Sequence, residues 1–104
     1  MTHADWAAER SGEAPAALVQ RLRDIFAAHP EWDALPHADA FTHAAEWLSR
    51  RVLESEASRP VALDLLAADA CITFAFEAAA DDPATLGERA AVTQARLSAL
   101  MARP

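Results

Sequence analysis

Residues 61–80 read VALDLLAADACITFAFEAAA, sixteen apolar positions in twenty, and nothing else in the chain narrows its fold as much. A segment so apolar must either cross a membrane or be covered over most of its circumference. Three acids, Asp64, Asp69 and Glu77, lie within it. An aspartate at the bilayer centre costs roughly 2.5–3.5 kcal/mol on insertion scales, so a simple span is excluded. On a helical wheel Asp69, Thr73, Glu77 and Asp81 share one strip, while Leu65, Ala68, Cys71, Ile72, Phe74, Ala75 and Phe76 take up more than half of the turn. The segment is read as a helix buried on most sides and wet on one. A bundle helix ordinarily needs an apolar stripe somewhat wider than ~100°, and this one exceeds it. Either the N-terminal segment with its tryptophan covers the surplus or a second copy of the chain does, and the reading favours the second copy.

The flanking sequence divides into further helices. Thr2 with Asp5 has the form of a capping box and Gly12 supplies a stop, so residues 3–10 are expected as a short leading helix carrying Trp6. A first main helix starts near Pro15 and ends at His29-Pro30, with Leu18, Val19, Leu22, Ile25 and Phe26 on one face. The linker PEWDALP then leads to a second helix, residues 37–56, striped by Phe41, Ala45, Leu48 and Val52. Its far side carries Asp39, His43, Glu46, Arg50 and Glu54. Ser58 and Pro60 open the third helix, the apolar segment itself. Asp81-Asp82-Pro83 closes it and starts a fourth, capped by Asp82 and running to Arg103. Leu86, Ala90, Thr93, Leu97, Leu100 and Met101 form the inward stripe of that last helix, and Ala91, Val92, Ala95 and Ala99 leave its opposite side nearly uncharged. The one cluster of β-formers, Ile72-Thr73-Phe74, has no turn residues around it. The expected fold is all-α: a single domain over residues 1–104, a compact antiparallel bundle of four principal helices behind a short N-terminal one.

A chain of 104 residues can bury a real but modest core. Sixteen acidic residues against nine basic ones, all arginine, give a net charge of −7, which repels phosphate backbones and anionic lipid. Nucleic acid is not an expected partner. Abundant alanine with no Lys, Asn or Tyr is the composition expected of a GC-rich bacterial genome, and it raises helix propensity throughout. The single cysteine excludes an intramolecular disulfide, and MTHADWAAER lacks the form of a secretory signal. The expected setting is a bacterial cytoplasm.

No group of residues names a catalytic chemistry, and no cofactor is expected. Asp39, His43 and Glu46 lie within roughly 60° of one another on the second helix, residue types that ligate divalent metals. Arg50 shares that strip and opposes a cation, so its pairing with Glu46 and Glu54 is preferred to metal binding. Cys71 points into the apolar arc, where a thiol is a small hydrophobe with a raised pKa. Asp64 projects onto the apolar side, where an unpaired carboxylate is costly, and is expected to meet Arg51 or Arg59. Trp47 beside Arg51 has the composition either of an interface anchor or of a tryptophan packed at the edge of the core; with Val92, Ala95 and Ala99 the pair makes the candidate interface. An alternative is a small apolar-ligand carrier or minor enzyme, with Phe41, Asp64, Phe74 and Phe76 as pocket candidates, Trp47 beside them, and Asp64 or His43 as polar contact.

Two stretches resemble segments of known families. THAAEWLSRR, residues 42–51, is similar to the phospho-acceptor helix of histidine phosphotransfer domains through His43 alone, since the lysine and glycine after that family's histidine are replaced here by Trp47 and Leu48. LLAADACITFAFEAA, residues 65–79, resembles a helix of the isoprenyl diphosphate synthases, but Asp81-Asp82 is followed by Pro83, Ala84 and Thr85 where those enzymes carry aspartate-rich magnesium motifs. Neither resemblance carries a function over. The expected function is that of a small interaction or adaptor module that forms a homodimer.

Overall fold

The structure, a computed structural model, describes residues 1–56, 59–81 and 86–102, with the backbone alone at 59 and 86–90. Thr2 opens the first helix, its hydroxyl accepting the Asp5 N–H at 3.0 Å and so satisfying one of the amides that a helix start leaves free. Helix α1 spans His3–Ser11. It stops at Gly12, whose φ of 64° lies in the left-handed region, and whose N–H closes on the Ala8 carbonyl at 3.3 Å. Helix α2 (Ala16–Ala28) follows Pro15 and ends before Pro30, which has no N–H to continue the ladder. Residues 30–36 are more than a linker. Pro30–Trp32 wind into one turn of 3₁₀ helix, and Trp32 is buried at its end.

Helices α3 (His37–Glu54), α4 (Arg59–Ala80) and α5 (Leu86–Met101) complete the fold, and among the described residues there is no strand. The expected caps Ser58, Asp82 and Pro83 lie outside the described residues. α3 and α4 share the most extensive contact in the molecule, and so short a connection between them turns one back along the other. No helix among the described residues is long and apolar enough to cross a membrane.

The most deeply embedded helix is α3, not the apolar α4. Ala38, Ala40, Phe41, Thr42, Ala44, Ala45 and Leu48 are all buried, because α1, α4 and α5 each pack against it and alanine lets backbones come close. At the centre Phe41 meets Phe26 and Phe74, each ring centroid 5.3 Å from its own, and Trp6 at 5.6 Å. Burying a phenylalanine contributes roughly 1.5–3 kcal/mol, and each well-placed aromatic pair about 0.5–1.5 kcal/mol more.

α4 is buried along a narrower stripe than its composition suggests. Asp64, Ala67, Ala68, Cys71, Phe74, Ala75 and Ala79 face inward. Leu65 and Phe76, expected in the covered arc, are 58% and 39% exposed, and Leu66 is 47% exposed. α4 packs on α3 along one side with α2 and α5 at its flanks, and among the described residues no helix lies over its outer face. Met101 likewise leaves the expected core stripe of α5 and is 70% exposed; at 3.6 residues per turn it stands about 80° round the helix from Thr93, while Leu100 takes the inward position. Cys71 is buried, and desolvation pushes its thiol up to about 12.

Candidate functional site

Asp64 is held by two arginines. Arg21 of α2 donates through Nε to Oδ1 at 2.7 Å and through Nη2 to Oδ2 at 3.3 Å, and Arg51 of α3 donates through Nε to Oδ2 at 3.5 Å. Arg51 is one of the two partners expected; the side chain of Arg59, the other, lies outside the described residues. Arg21 comes from 43 residues away, a distance no local spacing reveals. Both guanidinium groups lie over the Trp47 ring, at 5.8 Å and 4.9 Å from its centroid. Trp47 and Arg51, proposed as interface anchors, are thus engaged inside the chain in a clasp that ties α2, α3 and α4.

The four pocket candidates do not share a cavity among the described residues. Phe41 is wholly buried, Asp64 sits in the clasp, and Phe74 edges a shallow hollow beside Arg10 and Glu77. Phe76 borders a different opening, a groove of about 390 Å³ between α3, α4 and α5. Ala38, Ala75, Ala79 and Val92 supply apolar wall with Phe76; Asp39, His43 and Arg96 supply a polar side. Two groove-lining hydroxyls, those of Thr42 and Thr93, approach at 3.4 Å. The volume is of the size that small ligands occupy, which starts at roughly 300 Å³.

Arg96 organises the polar side. Its Nε donates to Glu46 at 2.6 Å and its Nη2 to His43 Nδ1 at 3.3 Å, while Arg50 donates to the other oxygen of Glu46 at 2.8 Å. A guanidinium only donates, so His43 presents a lone pair at Nδ1 and carries its proton on Nε2. Two of the three metal candidates are therefore taken up by a cation from α5, and Asp39, the third, lines the groove. No three His, Cys, Asp or Glu among the described residues are placed to hold a metal ion. Sequence reasoning missed Arg96 because it reaches Glu46 across 50 residues. It also missed Trp32 as an aromatic hub, with His29 stacked on it at 4.0 Å and His43 at 6.0 Å.

Val92, Ala95 and Ala99 are exposed on α5, as the uncharged side of that helix implies. Val92 is 52% exposed and borders the same groove as Phe76. The open face of α4 and the uncharged side of α5 therefore adjoin there. No match to the chain is found among protein-family models, curated proteins or solved structures.

Proposed function

We propose that the protein is a small acidic interaction module that associates with a second copy of itself through the outer face of α4 and the adjoining side of α5. The observation that carries this reading is the row of large apolar side chains left open there: Leu65, Leu66 and Phe76 on α4 and Val92 on α5. Leu65 and Phe76 are eleven residues apart, about three turns, so they lie on one side of the helix. Isolated exposed leucines are ordinary on a monomer; several large apolar side chains on one outer face, Phe76 and Val92 bordering a groove and Asp69 exposed among the others, mark an association surface. In a two-fold dimer the same row serves both partners. The buried, lone cysteine and the arginine-only basic composition support a bacterial cytoplasmic setting.

Light scattering on the wild type and on Leu65→Glu tests the reading. The substitution falls at an exposed site, so the fold is expected to survive while the dimer is lost. An equally tight dimer in the variant overturns the assignment of this face.

A second reading rests on the groove itself, whose volume and mixed lining suit a small apolar ligand lying along Phe76 with His43 as polar contact. It predicts that an apolar fluorescent probe binds the native protein and that Val92→Trp, filling the groove's edge, displaces it. Probe binding unchanged in that variant removes this reading.

A further inference from the structure

Two histidines fasten the start of α1. His3 is buried, with Nε2 2.8 Å from the Trp32 carbonyl and Nδ1 2.6 Å from Nδ1 of His37. A carbonyl only accepts, so the proton of neutral His3 is on Nε2, its Nδ1 is a lone pair, and His37 supplies the N–H between the rings. His37 in turn stacks on Trp6, at 4.9 Å and 23°, and Trp6 packs on Phe41 and Phe74. The pair thus joins the first residue of α1, the first residue of α3 and the 3₁₀ turn.

We propose that the His3–His37 pair is an acid-opened latch, which holds α1 against the bundle at neutral pH and releases it when both rings become protonated. One added proton fits on Nε2 of His37 with the bond between the rings intact. A second does not fit, because both Nδ1 atoms then carry hydrogen and two cations face each other at 2.6 Å. Once α1 has left, the contact between the rings no longer excludes the second proton. Docking thus excludes one proton, and its equilibrium weakens by up to about tenfold per pH unit through the acid side of the histidine range.

The environment of His37 acts in the same direction. Burial first, then the charge on His3 and the α-amino group of Met1, lower its pKa from 6.5, against the opposing pull of Asp81. A lowered histidine contributes its stabilisation fully above about 6.5 and loses it as pH falls through the lowered value. The other charged groups nearby come from each packed element. Asp5 of α1 pairs with Arg23 of α2 at 2.6 Å, Arg10 of α1 reaches Glu77 and Asp81 at the end of α4, and Asp33 borders the hollow that His3 lines. Arg23 and the Thr2 hydroxyl hold the Asp5 carboxyl below its usual value, so that pair persists across the range. What release uncovers is aromatic: Phe26 beside His3, and Phe41 and Phe74 beneath Trp6.

Amide hydrogen exchange on the full chain, expressed as protection factors, tests the latch. Between about pH 7.5 and about pH 5, spanning the histidine range, protection at residues 6–12 is expected to fall at least tenfold while α3 and α4 keep theirs. His37→Asn retains an N–H donor without the titration and is expected to hold α1 protection level, although the nearby acids remain. Unchanged α1 protection in the wild type at the acid end, or a fall in His37→Asn as large as in the wild type, overturns the proposal. If His37→Asn leaves α1 undocked at neutral pH, the ring resonances of the wild type decide. One proton taken up by the pair while α1 stays protected supports the latch; two contradict it.

Discussion

Removing the Arg21 side chain is expected to destabilise the protein more than removing Arg51, although both reach Asp64. Arg21 approaches with two N–H groups and is about a quarter exposed, whereas Arg51 makes one long contact and is half exposed. Loss of a charged partner from a mostly buried pair costs roughly 1–3 kcal/mol, and a solvent-screened contact within about 1 kcal/mol. Urea unfolding midpoints of Arg21→Ala and Arg51→Ala check the order; a larger loss for Arg51→Ala contradicts it. Cys71 supplies a second expectation at this scale. Its thiol, raised to about 12 by burial, should resist a thiol-directed disulfide reagent in the native protein and react freely once unfolded. That Asp64 needs an arginine was legible in the sequence, because a carboxylate on an apolar arc has few alternatives. Arg21 was not, because only the packing of α2 on α4 brings it there.

At the scale of the helix, boundaries were the legible part. Thr2, Gly12, Pro15 and Pro30 act through their own backbone chemistry, which needs no knowledge of neighbours. Which face of α4 is covered depends on where α3 lies, and the apolar count of the segment could not tell that α3, rich in small residues, takes the central place. The comparison of Leu48 with Leu65 makes this measurable. Leu48→Ala, in the embedded half of α3, is expected to cost about 2–5 kcal/mol. Leu65→Ala, on the open face of α4, should stay within ±0.5 kcal/mol, roughly the span of surface substitutions, when unfolding is followed at concentrations low enough to keep the chain monomeric. Equal costs from urea unfolding of the monomer would contradict the open outer face of α4; at dimer-forming concentrations a larger cost for Leu65→Ala is expected, because a second copy then covers that side chain. The candidate groove was half legible: Asp39, His43, Phe76 and Val92 were singled out and Thr93 was placed on an inward stripe, but Arg96, which meets Glu46 and His43 across about fifty residues, was not.

For the whole molecule, shape and charge make opposing demands. The open apolar row favours contact between copies, while a net charge of −7 keeps them apart at long range. Salt screens the repulsion and leaves the apolar contact in place, so self-association is expected to tighten as ionic strength rises. A dimer built on ion pairs would weaken instead. The measurement that bears most directly on the proposed function is the molar mass of the wild-type protein by light scattering, from low to high micromolar concentration. A rise to twice the chain mass, reached at lower concentration in added salt, is the predicted result; the mass of a single chain throughout would contradict it.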